Sequence, residues 1–231
     1  MLTKPATSHG TAAKDGRPRT VWYFDLISPF AYLALPAVLR LAQQRPILMR
    51  PVVFGVLLTR WGQLGPAEIG AKRLHTYRLA QFLAEQAGLS LRFPPRHPFR
   101  SLDALRLLAA VDSRPDAVRA AFDFVWVEGR DPSEPAEREA LCARLGVGDM
   151  EAIVAATGAK ERLREWTDEA ISLGVFGVPT LVVGQELFWG ADAMPMAERY
   201  LADQSLFTRG EMARLAELPF GVQRKPASRS G

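Results

Sequence analysis

The apolar positions follow two rhythms along the chain. Residues 20–27, TVWYFDLI, form an almost unbroken β-branched and aromatic run, the pattern of a buried strand. Ser28-Pro29 follows and reads as a helix N-cap with proline in the first helical position. A helix is expected over 29–44, with Pro36 inside it as a missing hydrogen-bond donor that kinks or weakens it. Residues 47–54, ILMRPVVF, return to strand character. Strand, helix and strand with short joints predict a right-handed βαβ unit.

The rhythm then changes. Ile69, Leu74, Tyr77, Phe82 and Leu83 recur at helical spacing and predict a helix over 66–87. Residues 91–99, LRFPPRHPF, hold too many prolines for a helix and form a connector. Helices are expected at 101–111, 116–128, 134–145, 149–156 and 159–173, with Gly, Pro and Asp at the joins. Strand chemistry returns at 178–183, VPTLVV. Gly184-Gln185 then turns the chain into 186–190, ELFWG, which predicts a hairpin. Asp192 is placed to cap a last helix reaching about residue 203. This order predicts an α/β fold interrupted by an all-helical insertion. Residues 20–60 and 159–205 form the α/β part and 61–158 the insertion.

Composition narrows the function. A chain of 231 residues can bury a large core without disulfides or metal. Cys142 is the sole cysteine, so no intramolecular disulfide forms, which suits a reducing compartment. Three histidines without a ligand-spaced pair argue against a metal site, and no Gly-rich phosphate loop occurs. The N-terminal stretch lacks the apolar core of a signal peptide. No run approaches the roughly 18 apolar residues of a membrane span. A cytoplasmic protein is expected. The net charge is +4, yet residues 1–19 and 219–231 each carry +3, leaving the body at −2. The basic excess therefore lies in Pro-, Gly-, Ser- and Ala-rich tails expected to be disordered, not on a folded face. That argues against nucleic-acid binding.

Two segments carry candidate chemistry. Ser28 stands at a helix N-terminus, where unpaired N–H groups and the helix dipole favour an anion; the alternative role is a cap alone. In 176–180, FGVPT, Pro179 opens a strand, or its peptide bond is cis and turns the Val178 backbone outward. Phe30, Trp61 and Tyr77 fit the wall of an apolar substrate pocket, or simply core. His75, on the first insertion helix, and His97, in the connector, read as structural.

The stretches FDLISPFAYLA, PVVFGVLL, GQLGP, AKR and FGVPTLVVGQELFWGAD together resemble the DsbA-like thioredoxin superfamily. Within it they are most similar to 2-hydroxychromene-2-carboxylate isomerases and kappa-class glutathione transferases. The resemblance spans about residues 20–202 and implies a thioredoxin-like fold, βαβ then αββα, around the insertion. Redox members open this helix with Cys-x-x-Cys. Here the four positions are Ser28, Pro29, Phe30 and Ala31, so dithiol–disulfide exchange has no thiolate to run it. The resemblance implies instead that glutathione supplies the sulfur and that Ser28 donates a hydrogen bond to its thiolate. It implies that Val178, before a cis Pro179, pairs with the tripeptide backbone like an added strand. It assigns Asp192 to the γ-glutamyl ammonium and Lys72 to glutathione, where the alternatives are an N-cap and a solvated helix face. Gln63 stands where relatives often have Asn, and Ala193 where many have Arg. The implied reaction interconverts 2-hydroxychromene-2-carboxylate and trans-o-hydroxybenzylidenepyruvate through a transient thiolate adduct, in aromatic-compound catabolism. A kappa-like transferase and a non-catalytic thioredoxin-fold binding protein are the alternatives. Relatives are commonly dimers, so a homodimer is also implied.

Overall fold

A computed structural model describes residues 18–222. The chain divides into two compact units after Met194. The first unit is built on four strands, β1 (Thr20–Phe24), β2 (Leu48–Pro51), β3 (Thr180–Val183) and β4 (Glu186–Trp189), in the order β2-β1-β3-β4. β1 runs parallel to β2, with Val21 opposite Leu48, and antiparallel to β3, with Thr20 opposite Val183. β3 and β4 form the expected hairpin, Val183 opposite Glu186.

Successive side chains of β1 point to opposite faces. Val21 and Tyr23 join Val52, Leu57, Ala170, Val175, Val178 and Val182 in one cluster. Trp22 and Phe24 stack on each other with centroids 4.5 Å apart, and Phe122 lies 5.9 and 5.4 Å from them. Both faces of the strand are covered, which is why its sequence is continuously apolar.

Around this sheet lie α1 (Pro29–Ala42), α2 (Phe54–Trp61), α3 (Gly70–Gln86), α4 (Leu102–Ala110), α5 (Pro115–Trp126), α6 (Pro135–Arg144), α7 (Met150–Ala156) and α8 (Ala159–Ser172). α1 packs against α3 and α5, and α8 against β2, α2 and α4. α3 to α7 interrupt the thioredoxin-like order, which resumes with α8 leading into β3. The second unit holds most of α9 (Met194–Ala202), a 3₁₀ turn at Gln204–Phe207 and α10 (Gly210–Leu215), with Tyr200 stacked on Phe207.

Several boundaries move from their expected places, each for a local reason. The strand expected to reach residue 27 ends at Phe24, because Asp25 bonds its own turn: Oδ1 accepts from the Ile27 N–H at 3.0 Å. The strand expected to reach residue 54 ends at Pro51, and Phe54 instead opens α2, a helix absent from the sequence expectation. Its N-cap, Val53, has no capping side chain. The Phe54 N–H is accepted by Asp25 Oδ2 at 3.0 Å and the Val53 N–H by Thr167 Oγ1 at 3.2 Å. Both acceptors are remote in sequence. The helix expected over 66–87 is broken at Ile69 (φ −104°, ψ 109°) into a 3₁₀ turn and α3. Pro36 sits within α1 without ending it. β3 starts at Thr180, after a cis Val178–Pro179 peptide. The helix expected to be capped by Asp192 starts at Met194, two residues beyond it, and a further short helix, α10, follows.

Arg19, assigned to the N-terminal tail by the charge count, is ordered: its Nη1 lies 2.6 Å from Glu169 Oε1. The expectation of disordered tails falls otherwise mostly on residues 1–17 and 223–231, outside the described residues. Among the described residues no helix is long and apolar enough to cross a membrane.

Candidate functional site

Ser28 caps α1 with extended backbone (φ −92°, ψ 115°) and is 7% exposed. Its Oγ accepts from the Ala31 N–H at 3.3 Å and donates to the Val178 carbonyl at 3.5 Å. Ordinary O–H···O bonds span roughly 2.5–3.0 Å, so the hydroxyl proton is weakly held. It is available to an anion placed at the positive end of α1.

The turn that presents Ser28 is pinned group by group. The Ser28 N–H donates to the Asp25 carbonyl at 3.1 Å. Trp126 Nε1 donates to the Leu26 carbonyl at 2.8 Å, and His97 Nε2 lies 2.8 Å from the Ile27 carbonyl oxygen. Asp25 is 2% exposed. Burial pushes its carboxyl up, while the N–H groups of Ile27 and Phe54 and the Ser101 side chain pull it back down.

The facing wall is the segment before β3. Ladder partners begin at Thr180, so the Val178 backbone stands outside the sheet pairing. Thr180 Oγ1 donates to the Gly177 carbonyl at 2.8 Å, and the Gly190 N–H to the Pro179 carbonyl at 2.9 Å. Trp61 Nε1 donates to the Val175 carbonyl at 2.9 Å. Trp189 lies edge-on to Phe176 at 5.0 Å and closes over Gly177, where a Cβ would fall 2.6 Å from its Nε1. Only glycine fits at 177 without moving that indole.

The structure thus brings Ser28, Val178 and the cis Pro179 together and bonds Trp61 to the same loop. Phe30 is half-buried in the first turn of α1. Tyr77 is tied to the turn through His97: its Oη lies 2.7 Å from His97 Nδ1. Gln63, Lys72, His75 and Asp192 are exposed. Gln63 follows the left-handed Gly62 that ends α2, and Lys72 lies in the first turn of α3. Among the described residues no hydrogen bond or ion pair joins these four to Ser28 or Val178. Asp192 folds its Oδ1 back onto Gly190, whose φ of +97° and close approach to that oxygen leave no room for a Cβ.

Sequence reasoning missed Asp25, His97 and Trp126. Asp25 gave a signal, a lone acid in an apolar run. His97 and Trp126 gave none, since their contacts to the turn cross 70 and 100 residues. Cys142 is buried on α6, and burial pushes its thiol up, away from thiolate chemistry. The arrangement suits holding an anion at Ser28 beside an extended peptide along Val178.

Comparison with known proteins agrees with the fold. The family model for the DSBA-like thioredoxin domain matches residues 20–202. A 2-hydroxychromene-2-carboxylate isomerase of Pseudomonas putida is 30% identical over 184 residues, covering 77% of this chain and 91% of that protein. The glutathione S-transferase kappa 1 of Homo sapiens is 27% identical over 210 residues, covering 81% of this chain and 92% of that protein. A solved structure of a 2-hydroxychromene-2-carboxylate isomerase superposes with a TM-score of 0.66 at 28% identity, covering 83% of this chain and 99% of that one. The chain belongs to the DSBA-like thioredoxin domain family and, within that fold, to the family of 2-hydroxychromene-2-carboxylate isomerases.

Proposed function

We propose that the protein is a glutathione-dependent isomerase interconverting 2-hydroxychromene-2-carboxylate and trans-o-hydroxybenzylidenepyruvate. The observation that carries this reading is the weakly held Ser28 hydroxyl at the α1 N-terminus, 3.5 Å from the carbonyl of Val178. The four turn positions hold no cysteine, and the one cysteine is buried elsewhere. The donor set suits a borrowed thiol. A hydroxyl and a helix N-terminus favour a thiolate over a thiol, and the Val178 backbone, outside the strand ladder, offers an edge to a tripeptide. Glutathione bound there supplies a nucleophile able to make the substrate's conjugated double bond single, so that it rotates.

The chain's own residues then divide the work. Ser28 orients and stabilises the anion, and the α1 dipole lowers the cost of holding charge in a buried turn. Val178 and Pro179 align the peptide. Asp192 carries the charge that matches an ammonium group, and Lys72 and Gln63 offer donors to its carboxylates. Phe30, Trp61 and Tyr77 wall the aromatic ring and limit water. A reducing, cytoplasmic setting belongs to the same reading.

The test is turnover with purified protein, glutathione and the chromene carboxylate, followed by absorbance. Many turnovers with total free glutathione unchanged are expected. Stoichiometric loss of glutathione would replace this reading with a kappa-like transferase, which the 27% identity to human kappa 1 keeps in view. Binding of glutathione without conversion of either kind would leave a binding protein.

A further inference from the structure

His97 sits in the proline-rich connector, yet both of its ring nitrogens are engaged. Nε2 lies 2.8 Å from the Ile27 carbonyl oxygen and Nδ1 lies 2.7 Å from Tyr77 Oη. A carbonyl oxygen only accepts, so Nε2 carries a proton. Arg73 Nε donates to Tyr77 Oη at 3.1 Å, and Arg73 Nη2 to the His97 carbonyl at 2.9 Å. With its oxygen accepting from Arg73, the Tyr77 hydroxyl is left to donate, and Nδ1 is the nearer of its two acceptors; the His97 carbonyl is at 2.8 Å. The donors therefore run one way, from Arg73 to Tyr77 to His97 to Ile27. Burial of the ring, and the Arg73 cation, hold its pKa below the ordinary histidine value despite the pull of the Ile27 carbonyl. A neutral ring with Nδ1 as acceptor is consistent with that. Edge-on contacts with Tyr77, Phe93, Phe99 and Trp126, at 5.1, 5.7, 6.0 and 5.6 Å, keep the imidazole from flipping.

The bond falls on a particular peptide. The Ile27–Ser28 plane is held at its carbonyl by His97 and at its N–H by the Asp25 carbonyl. Rotating that plane swings the Ser28 side chain relative to the first turn of α1, whose backbone is set by Pro29. We propose that His97, locked as its Nε2–H tautomer by Tyr77 and Arg73, is a positioning residue that fixes the Ile27–Ser28 peptide and so aims the Ser28 hydroxyl. This rests on the reading that Ser28 receives a thiolate.

Three variants test it. His97→Phe keeps a packed ring without a donor, His97→Gln keeps an N–H on a flexible chain, and Tyr77→Phe removes the Nδ1 partner. In the ligand-free wild type, ring ¹⁵N shifts should report Nε2–H. In His97→Phe the Ser28 amide should exchange with solvent about tenfold faster, while elements remote from the turn exchange as before. With glutathione, the bound thiol should titrate nearer its free value, and kcat should fall about tenfold with KM little changed. His97→Gln should recover most of each effect. Tyr77→Phe should mix the two tautomers and give an intermediate thiol titration. An Nδ1–H ring in wild type, or unchanged Ser28 exchange and thiol titration in His97→Phe, overturns the proposal. If His97→Phe fails to fold, the same readouts in Tyr77→Phe and His97→Gln decide it. Failure of the wild type to bind glutathione would sink the functional reading, while tautomer and exchange still judge His97.

Discussion

Ser28 Oγ has two partners inside the protein, at 3.3 and 3.5 Å, and neither holds it firmly. Removing the hydroxyl in Ser28→Ala should cost the fold only about 1 kcal/mol, the worth of a cap. The cost to activity should be larger. A hydrogen bond to a charged group is worth roughly 1.5–3 kcal/mol, so kcat/KM should fall on the order of ten- to a hundredfold. The bound thiol should titrate at higher pH than in wild type; full activity with an unshifted titration would leave Ser28 a cap and nothing more. Asp25 gives a prediction of the opposite balance. Asp25→Ala leaves the N–H groups of Ile27 and Phe54 without their acceptor, and should destabilise by about 2–5 kcal/mol. The carboxyl also gives a pH signature. Its folded pKa is raised by burial, so its favourable contribution is fully present below the ordinary carboxylate value and is lost as pH rises through the folded value. Urea unfolding of wild type and Asp25→Asn should therefore show wild type gaining on the variant as pH falls; the reverse trend would contradict the burial. Ser28 and the Val178–Pro179 pair were legible because caps and prolines are local grammar. Asp25 was legible only as an oddity, because what it holds, the Phe54 N–H, is 29 residues away.

The elements show the same division. β1 could be read from TVWYF because burial on both faces leaves an unbroken apolar run, and the hairpin because Gly184-Gln185 separates two short strands. α2 could not be read from its start. FGVLLTRW has no capping side chain, and the groups that satisfy its first N–H donors come from β1's end and from α8. Its end was marked by the left-handed Gly62, a signal that needed a recognised start to mean anything. The approach to β3 depends on a fit between elements. Trp189 of β4 lies over Gly177, and Trp61 at the end of α2 bonds the Val175 carbonyl, so a strand and a helix both bear on the loop that carries Val178. Gly177→Ala puts a methyl 2.6 Å from the Trp189 Nε1 and 3.2–3.3 Å from two of its ring carbons, so the indole must shift. Overpacking of this kind costs about 1–3 kcal/mol. Chemical denaturation should show that loss, tryptophan emission should shift, and glutathione should bind several-fold more weakly as Val178 is displaced. Wild-type affinity in a destabilised Gly177→Ala would detach Val178 from the ligand.

At the scale of the molecule, the α/β order and the helical insertion were legible in the succession of rhythms, but the charge that ties the sheet to α8 was not. Counting charge put Arg19 in a basic tail. In the structure Arg19 and Arg50 both pair with Glu169, 150 and 119 residues away, and Tyr23 Oη donates to the same carboxylate at 2.9 Å. Arg50 also lies 5.6 Å over the Trp166 ring. One acid thus links the start of β1, the middle of β2 and α8. Burial alone would raise its pKa, but Arg19, Arg50 and Tyr23 outweigh burial and hold it below the ordinary glutamate value. The lowered value fixes the sign of the pH effect. The network's contribution is present above the unfolded pKa and is lost as pH falls through the folded one. Glu169→Ala leaves Arg50, only 17% exposed, without its counter-charge, and should cost about 3–5 kcal/mol near neutral pH. Arg19→Ala should cost less, about 1 kcal/mol, because Arg19 is the more exposed cation and the carboxylate keeps Arg50 and Tyr23. Once Glu169 is gone, Arg19→Ala should cost almost nothing more, because the two changes share one interaction. Stability curves taken toward acid pH should converge, wild type losing its advantage over Glu169→Ala as the carboxylate protonates. Additive losses in the double variant, or a gap that persists in acid, would mean that Glu169 contributes packing and not charge.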